Sequence, residues 1–142
     1  MKKKYHIVGK FVFALYILFL LYFLILSRKV SFEEMHYNLV PFHEILRYWN
    51  YRDQLGMLTL LNLFGNVALF MPLGFLEALS SDKRSFVKTS LDGFLLSLLV
   101  EICQTVTLIG TFDVDDLILN TLGAMLGFLI FVILNAIRRV YD

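Results

Sequence analysis

One cysteine, two prolines and few charges set the first limits on this 142-residue chain. Cys103 stands alone inside an apolar run, which excludes an intrachain disulfide and a cysteine-cluster metal site. Charged residues make up 18% of the chain, against about a quarter in soluble domains. The net charge of +1 offers no bulk field for a polyanion, so no nucleic-acid partner is expected. Repeats, low-complexity tracts and Ser/Gly linkers are also missing, and residues 1–142 read as a single domain. There is no Ser–His, Cys–His or phosphate-loop signature.

What fills the chain instead is apolar surface. Hydrophobic residues are 58% of the total and mean hydropathy is +0.71. The excess is gathered in blocks, which places the chain in the membrane class. The first block follows Lys2, Lys3, Lys4 and Lys10 and ends at Ser27, Arg28 and Lys29. Its apolar core is longer than that of a secretory signal and no small residues mark a cleavage site, so an uncleaved span is expected. Three further blocks follow, interrupted by Asn62, Asn66 and Pro72, then by Lys88, Asp92, Glu101 and Gln104, and the last ending at Arg138 and Arg139. Spans are expected near 7–26, 58–79, 86–109 and 115–137, each close to the roughly 20 residues a bilayer-crossing helix needs. The expected fold is all-α: an integral membrane four-helix bundle, because lipid-exposed backbone must satisfy its own hydrogen bonds.

Basic residues orient such a bundle. Lys2, Lys3, Lys4, Lys10, Lys83, Arg84, Lys88, Arg138 and Arg139 fall on one side, and Arg28, Lys29, Arg47 and Arg52 on the other. The positive-inside rule then predicts both termini in the cytoplasm. Asn62, Asn66, Glu101, Gln104, Asp113, Asp115, Asp116 and Asn120 gather near the outer leaflet in that arrangement.

Helical spacing groups these residues. Asn62 and Asn66 are one turn apart, and Glu101 and Gln104 continue a stripe through Ser97, Gly93 and Ser90. Asp116, Asn120, Gly123 and Gly127 share one face, where Gly123 and Gly127 form a GxxxG close-packing pair. Pro72 is expected to kink its helix, with Gly74 easing the bend. In the loop before the second span, Pro41 is expected to open an amphipathic interfacial helix. Its apolar stripe is Phe42, Ile45, Leu46 and Trp49, with Arg47 and Arg52 available to a lipid phosphate.

Each polar group has a structural and a functional reading. Glu101 inside a span suits a general acid or base, or a hydrogen bond to Gln104 or Asn66. Asp113, Asp115 and Asp116 suit an N-cap and a first turn, Asp115 above all. Together with Glu101 they are also the hard oxygen donors that Mg²⁺ or Ca²⁺ takes, though no spacing is diagnostic and no metal or cofactor is expected. Asn62 and Asn66 suit interhelical hydrogen bonds. His36 and His43 alone do not suggest a metal site.

Four segments in order resemble the VanZ-like family: Asn38-Leu-Val-Pro-Phe42, Asn62-Leu-Phe-Gly-Asn66 running on to Phe70-Met-Pro-Leu-Gly74, Glu101-Ile-Cys-Gln104, and Asp113 through Gly123. The resemblance implies a small multi-pass protein of the bacterial cell membrane, linked to lowered susceptibility to teicoplanin-type lipoglycopeptides. Many relatives carry an Arg shortly before the position of Asp113, where this chain has Gly110, Thr111 and Phe112.

The leading expectation is an outer-leaflet polar pocket lined by Asn38, Asn62, Asn66, Glu101, Gln104, Asp113, Asp116 and Asn120, with Arg47 and Arg52 beside it. Its partners would be membrane lipids, a lipid-linked cell-wall precursor or a lipoglycopeptide, and a homo-oligomer is compatible with it. The alternative is a membrane-embedded hydrolase or transferase using Glu101 with Asp113 and Asp116. A transporter is disfavoured, since its acids would sit near the midplane.

Overall fold

The computed structural model describes residues 2–26, 37–81, 83–108 and 110–141. Expectations placed on Ser27, Arg28, Lys29, His36 and Ile109 fall outside them. Helix α1 spans Lys2–Leu21 and runs on as a π-helical turn, Tyr22–Leu26. After a two-residue strand β1 (Tyr37–Asn38) come the short helices α2 (His43–Asn50) and α3 (Arg52–Leu55). Three long helices follow: α4 (Met57–Ser80), α5 (Phe86–Val106) and α6 (Val114–Tyr141), with β2 (Phe112–Asp113) leading directly into α6. Among the described residues the architecture is all-α apart from this one two-stranded parallel pairing.

Among the described residues, three helical segments are long and apolar enough to cross a membrane: Ile7–Ile25, Thr59–Ser80 and Val114–Tyr141. The fourth expected span is helix α5, which has 21 residues but carries Lys88, Asp92 and Glu101 and is not among the three. It stops at Val106, short of the expected end, and α6 continues beyond its expected end. Large apolar side chains face outward along all four long helices, Phe11, Leu18, Leu61, Val87, Leu95 and Ile133 among them. A water-soluble surface would not carry so much contiguous apolar area.

Packing is tightest between α4 and α6. A Cβ added to Gly127 would lie 1.9 Å from the Met71 carbonyl oxygen, and one added to Gly123 would lie 2.3 Å from that of Val67. The GxxxG pair therefore lets α6 sit directly on the α4 backbone, where dispersion and close contact replace the hydrophobic drive that lipid removes. Gly74 belongs to this contact: its missing Cβ makes room for the Ala124 carbonyl. Helix α4 continues through Pro72 as a single helix. Tyr16 donates to the Leu69 carbonyl at 2.6 Å, one residue beyond the carbonyl that Pro72 leaves without its N–H partner.

The main core cluster joins Leu20 and Leu24 of the first helix to Phe70, Leu73, Val100 and Ala124. Ala78, Phe128 and Phe131 form a second cluster near the other end. There Lys88 Nζ bridges Glu77 Oε1 at 2.6 Å and Asp92, so two of the charges within α5 find partners of opposite sign.

Candidate functional site

The polar residues meet at the end of the bundle where α4 begins, α5 ends and α6 begins. Parallel pairing of Tyr37 with Phe112 and of Asn38 with Asp113 ties the segment before α2 to the segment before α6. The side chains repeat the tie, with Asn38 Nδ2 donating to Asp113 Oδ1 at 2.8 Å. That same oxygen accepts the Asp115 N–H at 2.8 Å, so Asp113, just ahead of α6, acts in the manner expected of an N-cap.

Asp115 does something else. It is 1% exposed, and its carboxylate accepts the backbone N–H groups of Phe42 (2.5 Å), Glu44 (2.7 Å) and Ile45 (3.0 Å). These are orphan donors of helix α2, so Asp115 caps a helix about seventy residues away and not its own. Phe42 sits at φ 66°, left-handed and uncommon for a non-glycine residue. That turn aims the N–H groups at one point, and the carboxylate they meet there offsets the backbone cost of about 1–3 kcal/mol. Pro41 accordingly lies in the turn ahead of α2 and not at its first position. No N–H of Pro41 is needed, but the helix begins only at His43.

Glu101, also 1% exposed, accepts the Asp113 N–H through Oε2 at 3.0 Å. The carboxylate thereby holds the loop between α5 and α6 against the bundle. Gln104 donates to the Leu24 carbonyl at 2.9 Å, fixing the end of the first helix. Asn66 Nδ2 donates to Asp116 Oδ1 across the α4–α6 interface. Asn120 donates to Ser97 Oγ at 2.9 Å deeper in the bundle. The buried face of α5 is Thr89, Gly93, Ser97, Val100, Glu101 and Gln104, so the stripe read from spacing ends on Thr89 in place of Ser90. On α6 the buried carboxylate is Asp115, and Asp116 is half-buried.

Above this network lies a cleft of about 610 Å³. Of the expected site residues, Asn38, Arg47, Asn62, Asp113 and Asp116 line it. Glu101, Gln104, Asn66 and Asn120 stand behind or below, holding the elements that form it. Arg52 is not at the cleft: its guanidinium lies over the Trp49 ring at 5.3 Å and donates to the Trp49 carbonyl. Sequence reasoning passed over Tyr37, His43, Glu44, Tyr48 and Thr111, all on the walls. It also misplaced Asp115, although a signal was there. Adjacent carboxylates in a first turn point about 100° apart, so Asp115 and Asp116 cannot serve the same neighbour.

The carboxylates carry structural hydrogen bonds. One oxygen of Glu101 holds a backbone N–H, one of Asp113 holds Asn38 and a backbone N–H, and Asp115 is filled by three. Among the described residues no group of three or more His, Cys, Asp or Glu is arranged to hold a metal ion. The arrangement is that of a braced, mostly polar recess, with its walls fixed from behind.

Comparison with known proteins agrees with the sequence motifs. The VanZ/LLP1 family model matches residues 13–135. Protein VanZ of Enterococcus faecium is 32% identical over 111 residues, covering 78% of this chain and 61% of that protein. The chain thus spans about three fifths of the length of that relative. No solved structure matches. The match reaches from the first helix into the last and takes in every element that builds the cleft, and the chain belongs to the VanZ/LLP1 family.

Proposed function

We propose that this is a multi-pass protein of the bacterial cell membrane. Helices α1, α4, α5 and α6 all cross the membrane, with both termini cytoplasmic and the cleft at the outer leaflet. Helix α5 completes the set because its charges are partnered or buried: Lys88 with Glu77 and Asp92, Glu101 with the Asp113 N–H. The nine basic residues of the opposite side supply the orientation. Helix α2 would lie in the outer interface, its Leu46 and Trp49 exposed on an apolar face.

In this reading the cleft receives the head group of a lipid or of a lipid-linked cell-wall precursor, and by doing so reduces susceptibility to teicoplanin-type glycopeptides. The observation that carries it is the braced recess of about 610 Å³ with polar walls, beside the amphipathic helix α2. Buried carboxylates engaged by backbone N–H groups make a stable receptor for a head group. The test is teicoplanin susceptibility of a sensitive bacterium expressing this chain. Thr111 is exposed and lines the cleft, so Thr111→Trp should fill the recess without disturbing the core. Tolerance conferred by the natural chain and lost in this variant at equal protein level is the expected result. Tolerance unchanged by the variant, or never conferred, would sink the proposal.

A further inference from the structure

The two devices that ordinarily hold an anion are both engaged within the cleft itself. The N-terminus of α2, where N–H groups and the helix dipole would favour a phosphate, holds the Asp115 carboxylate. The Arg47 guanidinium lies 2.8 Å from Glu44 Oε2. Around them the walls carry four carboxylates, Glu44, Asp113, Asp115 and Asp116, against that guanidinium and the His43 imidazole, which lies 3.3 Å from Glu44 Oε1. A phosphate entering here would meet an excess of like charge at close range, in surroundings that screen it less than bulk water. The Tyr37 side chain also lines the cleft, and an aromatic face attracts a cation, as the Tyr48 ring already does for Arg47.

From this geometry we infer that the cleft recognises an ammonium group, the primary amine of its ligand's head group, and not a phosphate. The inference rests on the head-group reading above and narrows it. Arg47 and Arg52 then serve α2 itself, the first through Glu44 and Tyr48, the second through Trp49. Specificity comes from repulsion of anions as much as from attraction of the amine.

The full chain, reconstituted in nanodiscs of phosphatidylethanolamine and phosphatidylglycerol with identical acyl chains, gives the test. Native mass spectrometry counts the lipid that stays bound. Phosphatidylethanolamine should be retained about fivefold over phosphatidylglycerol, the discrimination of one ammonium contact. Thr111→Lys places a tethered ammonium in the cleft and should abolish this preference, while Gly65→Ala, outside the cleft, should keep it. Displacement by soluble ethanolamine or N-acetyl-lysine methylamide would extend the recognised chemistry to free amines. Failure of both to displace would assign the amine to a membrane lipid. A preference for phosphatidylglycerol that responds to Thr111→Lys would overturn the ammonium inference and leave the head-group reading standing. A phosphatidylethanolamine preference that Thr111→Lys leaves intact would overturn the inference by placing that binding outside the cleft. Equal retention of the two lipids, indifferent to both variants, would overturn inference and reading together.

Discussion

Asp115 Oδ2 accepts the backbone N–H of Glu44 at 2.7 Å across 71 residues of chain. With the bonds from Phe42 and Ile45, this contact makes the position of α2 depend on a side chain at the start of α6. Removing it strands three donors and exposes the left-handed turn at Phe42 to relaxation. Asp115→Ala should loosen α2 by about 1–3 kcal/mol. Hydrogen exchange at Phe42, Glu44 and Ile45 should accelerate by about tenfold or more, with α4 and α6 amides unchanged. Asp115→Asn keeps one oxygen acceptor and should lose less. Exchange unaltered in Asp115→Ala would show that α2 is held by other contacts.

Glu101 separates bracing from chemistry. Glu101→Ala removes the acceptor for the Asp113 N–H and should lower stability by about 1–3 kcal/mol. Glu101→Gln retains an amide oxygen at the same reach and should unfold close to the natural chain. Denaturation of the detergent-solubilised protein measures both. Equal losses in the two variants would mean that the charge matters, and not the acceptor.

The α4–α6 contact has no room for a side chain at Gly127, whose added Cβ would meet the Met71 carbonyl at 1.9 Å. Gly127→Ala should therefore destabilise the bundle by about 1–3 kcal/mol, the usual cost of overpacking. Gly65, with nothing within 4 Å of its added Cβ, is the control: Gly65→Ala should be neutral or stabilising, because alanine favours helix. Similar behaviour of the two variants in thermal unfolding would contradict the close contact.

Ser97 and Asn120 form a buried hydrogen bond between α5 and α6 at 2.9 Å. A double-mutant cycle with Ser97→Ala and Asn120→Ala should give a coupling of about 0.6 kcal/mol, the average for such pairs in membranes. A coupling near zero would mean that the two side chains stabilise their helices independently.

Trp49 is the single tryptophan of the chain and lies on α2. In vesicles its fluorescence should be quenched more by lipids brominated near the head group than by those brominated at the chain end. Stronger quenching from the chain end, or none from either, would remove α2 from the interface.

Much of the frame was legible because the membrane simplifies the code. Apolar blocks longer than about 17 residues leave few options besides helices, and small residues four apart mark where two of them touch. Gly123 and Gly127 follow this rule. Glu101 and Gln104 were legible as buried for the same reason, since a carboxylate and an amide in such a run face away from lipid. The partners were not legible. Which backbone N–H each carboxylate accepts depends on how loops far apart in sequence come together.

Local periodicity and short motifs were enough for the all-α class, the apolar helices, the close-packing face of α6 and the family, whereas its partner α4 came from the packing. Only the tertiary structure decided that Asp115 caps α2, that Glu101 holds the Asp113 N–H, and that Arg47 is neutralised by Glu44 while Arg52 turns to Trp49. The physical reason is that a hydrogen bond is specified by position in space over about 3 Å. Spacing along one helix states which face a carboxylate occupies, but the donor opposite it belongs to another part of the chain.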